Sequence, residues 1–466
     1  MGHLSRLPIE LFLQISRCLN FGDIKSLSGA TRRFREQLSP RLYRTIRFTN
    51  RSADGEDITR VVSKHGAYAT RLHFDFCLAQ DTEILDDDEE TAPDGDLYRP
   101  GDESGKDRLR PATELPEFTS RLLSGESLPG ASLLRINFIP SEEGFWGLNW
   151  GDRDQLGGFY IFQDVVPPYR LESEEQRWPS WRRIVAKMWR VLSRNENITT
   201  LETEGLPAMP VSSWLHEDWS TFLGRLDTLI LRIWGGSSGT GTHANTARGF
   251  IDFLNRLGTH FFKHAKNLKE LHLVADPDNF YGESDAFTCE IALRQGQMPK
   301  LRELHVHHCF IDESLCKYLI AATSAEVLKK LHLIDCMSNE EIPSWAELFT
   351  RLATTDFMGL EELVVANKEV ELPSDHEVPE YLQSVEVRNE FRGTLFVYSG
   401  PELDTGHKRH FSYGTVDDSE GTIYADEERT ADEFESGDDM TAYRQLMKIV
   451  EENRERGAAE VCEFAK

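Results

Sequence analysis

Two stretches, Leu301-Arg302-Glu303-Leu304-His305-Val306-His307-His308-Cys309 and Leu328-Lys329-Lys330-Leu331-His332-Leu333-Ile334-Asp335-Cys336, decide the fold. In each, leucine-type residues stand at the first, fourth and sixth places and cysteine at the ninth. Apolar Leu304 and Val306 alternate with polar Glu303 and His305, the period of a strand with one covered face. The same spacing occurs at Ile198-x-x-Leu201, Leu226-x-x-Leu229-x-Leu231, Leu268-x-x-Leu271-x-Leu273, Leu360-x-x-Leu363-x-Val365 and Leu382-x-x-Val385-x-Val387. Leu72-x-Phe74-x-x-Cys77 and Leu134-x-Ile136 extend it towards the N-terminus.

Helical stripes lie between these strands. Phe250, Leu254, Leu257 and Phe261 form one, and Trp345, Leu348, Phe349 and Leu352 another. A third, Trp178, Trp181, Val185, Met188, Trp189 and Leu192, reads as a packing helix rather than a membrane-surface one. Strand, helix, strand, repeated, resembles a leucine-rich repeat, whose signature carries Asn or Cys where Cys309 and Cys336 stand. The expected fold is α/β, with an irregular leucine-rich-repeat-like solenoid over 51–400 built of parallel strands and convex helices or loops. A two-layer α/β domain with parallel strands is the competing arrangement.

The first fifty residues have a different pattern. Pro8 suits a helix start and Glu10 the positive end of its dipole. Leu11, Ile15 and Leu19 recur every four residues with Phe12 beside them, and Gly22-Asp23 recaps the chain before Ile24 and Leu27. So short a piece buries little surface alone and needs something else to pack on. An ordinary helical hairpin would satisfy the same periodicity.

The order of residue types goes further. Leu7-Pro8-x-Glu10-Leu11, Ile15, Leu19, Asp23-Ile24, Leu27 and the basic-aromatic end Leu42-Tyr43-Arg44-Thr45 resemble a fungal-type F-box, with Phe34 where many members carry Trp and Thr31 where many carry Cys. The resemblance covers about a tenth of the chain. It implies a three-helix domain over 1–50 that docks a Skp-type adaptor, and through it cullin and RING subunits. The matching adaptor-binding positions are Leu7, Pro8, Glu10, Leu11, Ile15, Leu19, Ile24 and Leu27, with Leu7 and Pro8 expected as the most exposed.

Composition narrows the function. Asp and Glu exceed Lys and Arg by 79 to 52, and a net charge of −27 disfavours a general nucleic-acid binder. No apolar run is long enough to span a membrane. Seven cysteines in 466 residues do not make a disulfide framework, so a reducing compartment, cytoplasm or nucleus, is expected. Residues 80–117, centred on Asp86-Asp87-Asp88-Glu89-Glu90, read as an acidic flexible insertion, and 140–177 as a long loop. Residues 401–466 read as an acidic tail with a helix over 440–455 that caps the solenoid end.

His73, His272, His305 and His332 each sit between the apolar positions of a strand, and so point away from the core. The last three would form a row on the concave face, with Glu270, Glu303 and Lys330 alternating beside them. That strip is the candidate surface for a protein target; a solvated polar face without a ligand is the plain alternative. Zinc at His305, His307, His308 and Cys309 is disfavoured, because alternation divides His308 from Cys309. No phosphate loop, dinucleotide glycine fingerprint or nucleophile elbow occurs. The chain is therefore expected to be a non-catalytic substrate receptor without cofactor or metal. A scaffold acting outside a ligase and an enzyme built on the repeats are the other readings.

Overall fold

The computed structural model describes residues 7–51, 54–77, 114–139, 162, 164–177, 180–235, 242–282, 289–339, 343–355, 359–366, 411–417 and 419–464. Most of the 80–117 insertion, much of the 140–177 loop, Trp178, the repeat at Leu382 and residues 401–410 lie outside them.

Three short helices come first: α1 (Ile9–Arg17), α2 (Phe21–Ala30) and α3 (Arg32–Leu42). Pro8 stands just before α1 as its cap rather than inside it, and its carbonyl accepts from Phe12 N at 3.1 Å. Asn20, not the Gly22-Asp23 pair, caps α2, because its amide oxygen stands where it accepts from Asp23 N at 2.9 Å. Thr31 caps α3 in the same way through Phe34 N. Phe12, Ile24, Phe34 and Leu38 make a small core of their own, with the Phe12 and Phe34 rings stacked at 4.8 Å.

Nine parallel strands follow in one sheet: β1 (Thr45–Thr49), β2 (Arg71–Cys77), β3 (Leu133–Ile139), β4 (Thr200–Pro207), β5 (Thr228–Trp234), β6 (Glu270–Val274), β7 (Glu303–His307), β8 (Lys330–Ile334) and β9 (Glu362–Ala366). Each lies beside its neighbour in sequence. The two outlying patterns at Leu72 and Leu134 are thus full members, as β2 and β3. β1 is an addition: Ile46 and Phe48 are buried, and Phe48 stacks on Phe74 at 4.8 Å. A register shift interrupts β4 between Thr203 and Leu206, where Gly205 takes a φ of +64° that side-chain-bearing residues avoid.

Parallel neighbours require a crossover, and most are helices such as Ser180–Leu192, Arg248–Leu257, Glu313–Ser324 and Trp345–Ala353. Their apolar sides join the leucine positions of the strands in one continuous core that includes Trp189, Trp219, Phe253, Leu315 and Trp345. All four residues of the Phe250 stripe and all four of the Trp345 stripe are buried. Parallel sheets usually have both faces covered. Here leucine-type residues are buried on one face, while the alternating positions on the other are partly exposed from β3 to β7.

The C-terminal segment is packed rather than a loose tail. Its last helix runs Asp438–Phe464, longer than expected, and lies against Trp345–Ala353 with Tyr443, Leu446 and Val450 buried. Trp345 Nε1 donates to Ser412 O at 2.9 Å, and Asn453 Nδ2 donates to Leu360 O at 3.0 Å just before β9. The expected end-capping helix is there, and Phe411 and Tyr413 ahead of it add buried apolar area that the acidic composition did not signal.

Candidate functional site

Two surfaces stand out, one on the open face of the sheet and one on the N-terminal module. On the sheet, strand register places His272, His305 and His332 in one row and Glu270, Glu303, Lys330 and Glu362 in the next. The strand spacing of parallel sheets brings successive side chains within contact distance. His272 and His305 stack at 3.8 Å, and His305 and His332 lie 4.1 Å apart. His272 Nε2 donates to Glu270 Oε1 and His305 Nε2 to Glu303 Oε1, both at 2.8 Å. His332 Nε2 turns instead to Glu362 Oε1 on the next strand, at 3.0 Å. Lys330 Nζ sits 3.2 Å from Glu303 Oε2, and Thr228 Oγ1 donates to Glu270 Oε2 at 3.2 Å. All six candidate target-binding residues therefore belong to one connected ladder.

The charges of this ladder are coupled. Burial pushes the His305 imidazole below its ordinary range, and the flanking His272 and His332 rings add to that, against the bond to Glu303. Burial acts to raise Glu303, but bonds from His305 and Lys330 outweigh it and hold the carboxyl below its usual range. Lys330 is raised by the same bond. The ladder thus favours the neutral form of His305 and the charged forms of Glu303 and Lys330. The N-terminal half of the open face differs in kind. There Arg47 pairs with Asp75, Asn137 Nδ2 donates to Asp75 Oδ1 at 3.2 Å, and Arg135 and Arg232 bracket Glu204 at 3.0 and 3.6 Å. His73 shares the histidine row through Arg135, Glu202 and Ile230, remote from the other three.

The turns that end the strands are closed by buried groups. Cys309 and Cys336 are buried, and Cys336 Sγ donates to Val306 O on the preceding strand at 3.5 Å. Burial holds both thiols protonated. His308, just past the end of β7, is buried: it has a φ of +54° and its Nδ1 donates to Ala275 O at 3.0 Å. Asn50 closes the turn after β1 from two places past Phe48, exchanging two bonds with Cys77 at 2.8 and 2.9 Å. It stands one place short of the Asn or Cys position of the repeat, so the spacing does not mark it.

On the N-terminal module, Leu11 and Ile15 are 48% and 45% exposed, with Ile9 and Leu13 on the same helix nearly as open and Phe21 at 65%. Pro8 and Glu10 are also exposed, while Leu7, Leu19 and Leu27 are half-buried against the small core. Ile24 is interior at 2% and offers no contact surface. The residues expected to dock an adaptor thus divide into an outward set and a supporting set. Ile9, Leu13 and Phe21 join the outward set, and nothing in their spacing separated them from core positions. The chain matches no protein-family model and no curated protein sequence.

Proposed function

We propose that this chain is the substrate-recognition subunit of a Skp–cullin–F-box ubiquitin ligase. In this reading residues 7–42 dock the adaptor, and the sheet is a leucine-rich-repeat-like solenoid whose open face holds a protein target. The observation that carries it is the set of exposed apolar side chains Ile9, Leu11, Leu13, Ile15 and Phe21 on a module that already has its own core. Leu11 and Ile15, four residues apart, share one flank of α1, and Ile9 and Leu13 share the other. The sequential order of the nine strands and the half-open ladder support the receptor half of the reading.

The chain then contributes position rather than a reactive group. Holding a target near the charged ubiquitin carrier raises the effective concentration of its lysines. Leu11→Asp with Ile15→Asp should abolish co-purification with a Skp-type adaptor and leave the melting temperature unchanged, since neither side chain is in a core. Adaptor retention by the double variant removes the docking reading. Adaptor without cullin in the purified complex favours a scaffold acting outside a ligase.

A further inference from the structure

We propose that Glu270, His272 and His305 form a divalent transition-metal site, with zinc as the fitting ion, on the open face of the sheet. One ligand atom from each lies within 4.8 Å of the other two. The set does not depend on the ligase reading, since it rests on strand register and side-chain chemistry alone.

Three features distinguish this trio from a chance cluster of surface charges. First, β6 and β7 fix it: His272 and His305 are register partners, and Glu270 is two residues before His272 on the same face. Second, the donor types agree with borderline zinc, two imidazoles and one carboxylate. Third, Glu303 bonds the His305 ring at 2.8 Å and Thr228 bonds the Glu270 carboxylate at 3.2 Å, the outer partners that orient metal ligands. Zinc ligands at about 2.0–2.2 Å from the ion stand roughly 3.3–3.6 Å apart, so the 2.8 Å His272–Glu270 pair must open slightly while His305, with its ligand atom inside 4.8 Å of both, moves to match. Half-buried side chains on an open face can move that far. Binding replaces the His272–Glu270 hydrogen bond with two bonds to the ion. A fourth position faces solvent and takes water or a side chain of a bound protein.

His332 is outside the trio because its ring turns to Glu362, and Lys330 beside Glu303 keeps positive charge on that side. The site therefore has a direction: it opens towards β5, where Thr228 and Ile230 are uncharged.

The test uses the full chain, stripped with chelator, then titrated with zinc by calorimetry at pH 7.5. One equivalent should bind at low-micromolar affinity or tighter. His272→Ala, His305→Ala and Glu270→Gln should each weaken it tenfold or more, while His73→Ala on the same face should not. Copper added in place of zinc should show two coordinated nitrogens by electron paramagnetic resonance of the unaltered chain, a readout that needs no variant to fold. Absence of stoichiometric zinc binding, equal binding by the His272 and His305 variants, or fewer than two nitrogens on copper overturns the proposal.

Discussion

Asp312 closes two parts of the core at once, and replacing it with alanine should loosen both. The side chain is fully buried before the helix Glu313–Ser324. Its Oδ1 accepts from Leu315 N at 2.6 Å and caps that helix, while its Oδ2 accepts from Ile291 N at 2.8 Å. Neither donor can reach water, since Ile291 and Leu315 are buried as well. Losing a cap costs about 0.5–2 kcal/mol and an unsatisfied buried N–H about 1–3. Relief of the buried carboxylate offsets part of this, so about 2–4 kcal/mol is expected. At about 1.4 kcal/mol per tenfold, hydrogen exchange of the Ile291 and Leu315 amides should quicken roughly 30- to 1000-fold. Asp312→Ser separates the two bonds: a serine caps the helix but cannot also reach Ile291, so Leu315 should stay protected while Ile291 exchanges fast. Exchange of both amides within threefold of the unaltered chain would refute the assignment of these bonds as structural.

The remaining predictions concern pH, the first strands and the joint. Burial raises Asp439 to about 6 despite bonds from Tyr413 and Ala346, so stability gained below pH 4 is lost as pH rises through 6; Asp439→Asn should remove this slope and raise the unfolding free energy at pH 7.5, read by urea titration, by up to about 3 kcal/mol. Burial lowers His260 to about 4, the opposite sense: stability present above pH 6.5 is lost as pH falls towards 4, and His260→Gln should flatten that acid limb of the same titration. Asn50→Ala deletes both bonds to Cys77 and should destabilise the first two strands by about 1–3 kcal/mol, read as faster amide exchange in residues 71–77. On the proposed ligase reading, a Gly/Ser insertion between Tyr43 and Arg44 should leave adaptor binding and target binding intact yet slow ubiquitin transfer in a reconstituted assay.

The sheet was legible because its signal is redundant. Leucine at the first, fourth and sixth places recurs where the covered face needs it, and Cys309 and Cys336 mark the turn. The histidine row followed from alternation alone. β1 escaped because Ile46 and Phe48 follow the basic end of the module and lack an upstream leucine. The C-terminal helix was legible from its apolar stripe, but the packing of Phe411 to Tyr413 was not, because the bond from Trp345 to Ser412 joins residues distant in sequence and leaves no periodic trace. The direction of the carboxylate partners was also invisible: His272 and His305 bond within their own strands and His332 across to the next, a choice made by packing. The exposed apolar side chains of α1 show the same limit from the other side. A helix with Ile9, Leu11, Phe12, Leu13 and Ile15 has more apolar positions than one face can bury, and sequence cannot say which are left out.

How the two surfaces are joined bears on what a receptor could do with them. The module has its own core, separate from that of the sheet, so a flexible tether could have connected them. The connection is short and structured instead. Only Tyr43 and Arg44 separate α3 from β1; the Tyr43 ring stacks on His65 at 3.7 Å, and Arg44 O accepts from Thr70 N and Arg71 N at 2.9 and 3.1 Å. Those two bonds make Arg44 the first link of the β1–β2 ladder, so α3 leads directly into the sheet. For a protein that only collected partners, such a joint would gain nothing, since binding at each surface is indifferent to the distance between them. For one that works by raising effective concentration, a fixed span matters, because a tether dilutes the second event as its length outgrows the gap. On the proposed receptor reading, such a joint would fix the place of a bound target relative to a docked adaptor.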